Sequence, residues 1–150
     1  MKKMLLAALL ASLLLPAAAS ATRLTDLDAS ADCLGWSAEI IVRFRAAVFQ
    51  LDLDYTVVLS DDRGNPLEVI DWAGSLTRAQ DTYPTQRFQF YGEWTVTAPP
   101  GQYHVDVTFH TAAPFGSAIE ESELTTAVDF FCAVVPTEST TWSSVKSLYR

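Results

Sequence analysis

The chain has 150 residues, with 10 Lys and Arg against 18 Asp and Glu and a formal charge of −8. That balance argues against nucleic acid and anionic lipid surfaces as partners, since both select for positive charge. The length suits one domain with a sizeable core.

Residues 1–21, MKKMLLAALLASLLLPAAASA, read as an export signal. Lys2 and Lys3 form a positive n-region, Met4 to Leu15 is an apolar core, Pro16 ends it, and Ala19-Ser20-Ala21 supplies the small residues of a cleavage site. The apolar run is about twelve residues, short of the roughly 20 that span a bilayer, so cleavage after Ala21 (or Ala19) is expected rather than a retained anchor. No cysteine lies near the cut to carry a lipid, and no later stretch reads as a transmembrane helix. Loss of the two signal lysines takes the formal charge from −8 to −10 and leaves Lys146 as the single lysine. With Asn65 the only asparagine, and Pro66 after it, neither a Lys–Asn isopeptide bond nor an N-glycosylation sequon is expected. The expected localisation is periplasmic, cell-surface or extracellular, where disulfides persist.

From residue 22 to 135 the pattern is period-two alternation, and it predicts a single all-β domain. Leu24 to Cys33 is a weak first strand. Trp36 to Arg45 turns Trp36, Ala38, Ile40, Val42 and Phe44 to one side, and Leu51 to Ser60 does the same with Leu51, Leu53, Tyr55, Val57 and Leu59. After the turn Asp61-Asp62-Arg63-Gly64-Asn65-Pro66, Leu67 to Trp72 is a short weak strand. Thr77 to Thr85 connects it to Arg87–Thr97, where Phe88, Phe90, Trp94 and Val96 keep one parity and Gly92 marks a candidate bulge. Pro99-Pro100-Gly101 is a sharp turn into the clearest strand, Gln102 to His110, with Tyr103, Val105, Val107 and Phe109 on one face. A longer connection, Thr111 to Ser122, precedes the last strand, in which Leu124, Thr126, Val128, Phe130 and Cys132 share a face. About seven such strands imply two antiparallel sheets packed face to face.

Cys33 and Cys132 are the only cysteines, and both fall on the core-facing parity of their strands. An even count in an oxidising compartment predicts one structural disulfide stapling the first strand to the last. A redox role would favour the C-x-x-C spacing, which is absent.

The segment Pro99-Pro100-Gly101-Gln102-Tyr103-His104-Val105-Asp106-Val107 resembles the P-G-x-Y-x-V-x-V turn-and-strand of immunoglobulin-like and fibronectin type III-like domains in secreted bacterial proteins. Asp32-Cys33-Leu34-Gly35-Trp36-Ser37 is similar to the opening of such domains. The resemblance covers nine residues well and otherwise only strand spacing. It implies an immunoglobulin-like antiparallel β-sandwich and leaves function open. Antibody-type domains place a cysteine two residues after the corner tyrosine, where this chain has Val105, so the disulfide joins different strands.

Few residues carry candidate chemistry. His104, Asp106 and His110 share an outward face, but the two histidines are about 20 Å apart at about 3.4 Å per residue, too far for one ion. Asp26, Asp28 and Asp32 share one parity, and Asp52 and Asp54 another, which makes these five weak calcium candidates and no other metal site. Alternating aspartates also guard strands against edge-to-edge pairing. No G-x-S-x-G elbow, phosphate loop or H-E-x-x-H helix is present, so no catalytic residue and no cofactor is expected. Trp72 and Tyr91 stand outside the core pattern and are candidate binding residues, suited to sugar rings or a protein anchor.

From 136 the chain changes to a polar linker, then WSSVKSLYR, in which Trp142, Val145, Leu148 and Tyr149 fall on one side at helical spacing and Lys146 and Arg150 suit the C-terminal dipole. Such a short helix does not hold alone in water, so this tail at 136–150 is expected to dock or to serve as a recognition element. The leading expectation is an exported, non-catalytic binding or structural module that contacts a protein partner or envelope component. A carbohydrate-binding domain is second, and a small secreted hydrolase third.

Overall fold

A computed structural model describes residues 21–45, 48–79, 84–114 and 116–133. The expected export signal, Ala21 apart, and the expected tail at 136–150 lie outside these residues. The described chain is all-β, with seven strands: β1 (Arg23–Ala31), β2 (Gly35–Arg43), β3 (Gln50–Asp61), β4 (Pro66–Thr77), β5 (Thr85–Glu93), β6 (Gly101–Thr111) and β7 (Ser122–Cys132). They form two antiparallel sheets, one of three strands in the order β1-β2-β5 and one of four in the order β4-β3-β6-β7. No helix among the described residues is long and apolar enough to cross a membrane.

Alternation builds this arrangement directly. Successive strand side chains point to opposite faces, so the apolar set of each strand lands on one side. Ile40 and Val42 of β2, Leu51, Val57 and Leu59 of β3, and Val105, Val107 and Phe109 of β6 are all buried to about 1% exposure or less. Burial of such side chains contributes roughly 1.5–3 kcal/mol each. Ring contacts cross from sheet to sheet: Trp36 meets Tyr55 edge-on at 5.4 Å, and Phe90 meets Phe109 at 5.0 Å. The two inner faces therefore share one sandwich-like core.

Local chemistry fixes the turns. Between β3 and β4, Asp61 Oδ1 accepts from the backbone N–H of Arg63 and of Asn65, Oδ2 accepts from the Asn65 amide, and Gly64 takes φ 79°. The Asn65 side chain leads the hydrogen bonds that hold the Asp61 carboxyl below its usual value. Before β6, the Tyr103 hydroxyl donates to the Pro99 carbonyl and pins the corner. Between β5 and β6, the chain is tied to β4 by Glu68, whose carboxylate accepts from the N–H and hydroxyl of Thr95 and from the N–H of Val96. Partial burial pushes the Glu68 pKa up, and these hydrogen bonds outweigh it, leaving the group below its usual value.

Four expectations need correction. The register shifts lie between Leu24 and Asp26 of β1 and between Leu59 and Ser60 of β3, opposite Leu67, and not at Gly92, which pairs with Trp36 in unbroken register. A Cβ on Gly92 would stand 2.6 Å from the Trp36 indole nitrogen, so this glycine makes room for a ring. β4 does not stop at Trp72 but runs on to Thr77, carrying Leu76 into the core. Cys33 is not on the core face: β1 ends at Ala31, the chain turns at Asp32, and Cys33 is exposed. β5 ends at Glu93, although Trp94 and Val96 still pack against the core.

Cys33 and Cys132 are disulfide-bonded, with a Cα–Cα distance of 5.6 Å and a sequence separation of 99. The bond ties the turn after β1 to the end of β7, and so one sheet to the other. Closing a loop of that length stabilises chiefly through the unfolded chain. Replacing both residues by serine (Cys33→Ser with Cys132→Ser) should lower unfolding free energy by about 2–4 kcal/mol in urea titration. A change below about 1 kcal/mol would show that the packed sheets hold these ends without the bond.

Candidate functional site

Trp72 and Tyr91 come from strands on the same side of the molecule but occupy different surfaces. The register of β3 and β4 pairs Trp72 with Tyr55, which places it with Ile70, Gly74 and Leu76 on the inner parity of an edge strand. Its ring stacks on Tyr55 at 5.3 Å and meets Phe90 of β5 at 6.0 Å, closing the open side of the core, and 38% of the residue remains exposed. A Cβ at Gly74 would lie 2.3 Å from the Trp72 ring, so the indole covers the surface that the glycine leaves bare. Trp72 is mainly a packing residue.

Tyr91 stands on the outer face of the three-stranded sheet with 85% of its surface exposed. It ends a row with Ser37 and Ser30, next to a row of Gln89, Glu39 and Asp28. Together they line a shallow cleft with a ring at one end and carboxylates, hydroxyls and an amide beside it. Glu39 also accepts from Arg87 at 3.1 Å and from Gln89 at 3.2 Å.

The outer face of the four-stranded sheet has a different character. Its charged positions are Asp71 on β4, Asp52 and Asp54 on β3, Asp106 with the two histidines on β6, and Glu123 and Asp129 on β7. No lysine or arginine stands on this face of the four strands. His104 Nδ1 lies 2.7 Å from Asp129 and its Nε2 3.2 Å from Asp106; His110 Nδ1 lies 3.1 Å from Asp54 and its Nε2 3.6 Å from Glu121. Carboxylates only accept, so both contacts of each ring are satisfied together only in the imidazolium form. The hydrogen bond to Asp129 leads the causes that raise the His104 pKa, and that to Asp54 leads for His110, each against an opposing desolvation.

The expected calcium candidates do not come together. Asp26 and Asp28 face outward on the three-stranded sheet, Asp52 and Asp54 outward on the other. Asp32 lies in the β1–β2 turn, where its Oδ1 accepts from the N–H of Leu34 and Gly35. Among the described residues no three His, Cys, Asp or Glu side chains are arranged to hold a metal ion. The expected tail residues Trp142, Val145, Lys146, Leu148, Tyr149 and Arg150 lie outside the described residues.

Two surface features went unread in the sequence. Leu67 and Val69 are exposed beside Trp72 along β4, and Phe131 is exposed at the end of β7. Each cross-strand histidine–aspartate contact needs the strand register, which alternation alone does not supply. The chain matches no protein-family model, and no curated protein matches it.

Two predictions come from this geometry. Trp72→Ala should cost about 3–5 kcal/mol if its ring is packed as a core aromatic, with the lower end favoured by its partial exposure, whereas Tyr91→Ala should change stability by less than about 0.5 kcal/mol. Equal effects in chemical denaturation would contradict these placements. The second concerns pH. A histidine whose pKa is raised on folding stabilises fully below its unfolded value, near about 6.5, and the gain is lost as pH rises through the folded value. The urea midpoint should therefore fall from pH 6 to pH 8, a window above the carboxylate titrations. That fall should shrink in the His104→Gln, His110→Gln double variant; an unchanged slope would remove the histidines as its source.

Proposed function

We propose that the chain is an exported, non-catalytic binding module, an immunoglobulin-like sandwich that works through protein–protein contacts at the cell envelope or outside the cell. The observation that carries this reading is the distribution of exposed apolar side chains. Three of them, Leu67, Val69 and Trp72, lie along the single edge strand β4. Scattered exposed apolar residues are ordinary, but here they lie on both sides of one edge strand, Val69 on the outer side and Trp72 on the inner, which offers a partner both backbone and side chains. The strand order and the Tyr103–Pro99 corner support the immunoglobulin-like type. The signal-like N-terminus and the Cys33–Cys132 disulfide support export.

A photo-crosslinking residue placed at Val69 should give a discrete protein adduct in the envelope or medium of the producing cell, and one at Gln89 on the opposite sheet should not. Adducts from neither position, in correctly folded and oxidised protein, would overturn the reading. A carbohydrate-binding role has one observation in its favour, the Tyr91 cleft with Asp28, Ser30, Ser37, Glu39 and Gln89. A glycan array that retains no ligand, or ligands retained equally by Tyr91→Ala, would remove that second role.

A further inference from the structure

The long edge of β4 and the charge of the sheet behind it point to one kind of partner. We infer that β4 accepts an added strand, and that the strand is an extended segment alternating basic with apolar residues. This rests on the binding-module reading and specifies its partner.

The edge comes first. β4 is a terminal strand twelve residues long, with no proline after its first residue, no lysine or arginine and no register shift inside its central stretch, Glu68 to Thr77. Among the described residues, no backbone hydrogen bond beyond the sheet ladder involves β4. The one irregularity, at Leu67, is confined to the start of the strand; a long edge stretch without lysine, interior proline or bulge is a template for another strand. The other edges differ. The start of β1 is covered by 118–122 through Thr22 to Ala118, Glu120 to Thr22, and Leu24 to Ser122. β7, the other edge of the same sheet, lies against β1 and is tied at its end to the β1–β2 turn by the disulfide. β5 carries Arg87, which places a cation beside any guest there.

The charge selects the guest. On the outer side an added strand would lie beside Val69, Asp71, Ala73 and Ser75, all exposed. Strands are spaced about 4.8 Å apart, so a basic side chain opposite Ala73 or Ser75 needs to cross only a small residue to approach Asp54 or Asp52, one strand further in. Asp71 would sit directly opposite the guest. Among the described residues, the side-chain contacts of Asp71 and Asp52 are with the hydroxyls of Thr56 and Ser75, and no cation pairs with either carboxylate. On the inner side the guest would meet the exposed part of Trp72, which suits apolar residues at the alternate positions.

A second copy fits poorly. Antiparallel self-pairing centred on Asp71 would set two Asp71 side chains directly opposite, and one centred on Trp72 would set each beside Ala73 of the other copy, while each chain carries a formal charge of −8. Like charges directly opposite destabilise a strand pair.

The test uses the full chain and fluorescent peptides of about nine residues. One alternates Arg with Val and a second Glu with Val; two further copies of the first are N-methylated on alternate residues, in complementary sets. The basic peptide should bind at least about tenfold tighter than the acidic one, more so at low salt. One N-methylated set, which blocks the edge that pairs, should lose more than about tenfold in affinity, and the other should keep it. Asp71→Lys and Ala73→Lys should each weaken binding about tenfold while leaving the melting temperature near that of the parent. Basic binding indifferent to both N-methylated sets would be diffuse charge attraction and would overturn the strand addition. Self-association abolished by Ala73→Lys would place a second copy on the edge and overturn the basic guest. Failure of every peptide, with a Val69 adduct still formed, would overturn this inference and leave the binding-module reading in place.

Discussion

Tyr55 lies where the two sheets and the open side of the core meet, and four rings from four other strands close around it. It stacks on Trp72 of β4 and meets Trp36 of β2, Phe90 of β5 and Phe109 of β6, all within 5.5 Å between centroids. Aromatic pairs contribute about 0.5–1.5 kcal/mol each beyond the area they bury, and here they join both sheets. Burial also pushes the Tyr55 phenol above its usual pKa, which keeps it neutral. Much of the surface depends on this cluster. With Phe90 committed inward, Tyr91 must stand outward on β5. With Trp72 lying on Tyr55, the edge of β4 is carried to the open side of the core.

Glycine is what lets the rings fit. Gly92 admits the Trp36 ring between β2 and β5, and Gly74 lies under the Trp72 ring on β4. Glycine inside a strand normally weakens it, through backbone entropy and the missing side chain. Here a neighbouring indole supplies the missing surface in both places. The weakness of Gly74 as a strand residue is thus offset by the same ring that closes the core, and β4 persists as a long edge.

Strand positions were largely legible in the sequence because one face of each is apolar and the turns carry Pro, Gly, Asp and Asn. β6, with Tyr103, Val105, Val107 and Phe109 set against polar neighbours, could be read as it stands. β4 could not. In Leu67-Glu68-Val69-Ile70-Asp71-Trp72 each parity holds apolar residues and one acid, so alternation does not say which side is in. The register with Tyr55 decides it, and Glu68 is tolerated inward because Thr95 and Val96 satisfy its carboxylate. Cys33 was misplaced for a different reason: Leu27, Ala29 and Ala31 do keep the inner parity, but β1 ends at Ala31 and the turn at Asp32 breaks the count that parity depends on. Its pairing with Cys132 needed only the number of cysteines. The site was less legible than the fold, since the exposure of the apolar residues of β4 and the histidine–carboxylate contacts are set by register.

Charge is divided between the two outer faces by chemistry as well as by sign. On the three-stranded sheet Glu39 is paired with Arg87, a cation at every accessible pH. On the four-stranded sheet the only cations are imidazoliums, set on β6 against Asp129, Asp106, Asp54 and Glu121. Their charge is greatest in mildly acidic solution and is lost as pH rises through their raised pKa values, so the negative charge of this face grows across the range where histidine is the titrating side chain. The compensation is also uneven along the sheet. It is strongest around β6 and β7, and it reaches β3 only at Asp54. Among the described residues, Asp52 and Asp71 receive hydroxyl hydrogen bonds and no cation. Uncompensated negative charge therefore collects toward β4, on the same margin where the backbone edge is open and Trp72, Val69 and Leu67 are exposed. Hydrogen-bonding groups, apolar surface and negative charge coincide there, and the coincidence follows from where the aromatic cluster holds β4.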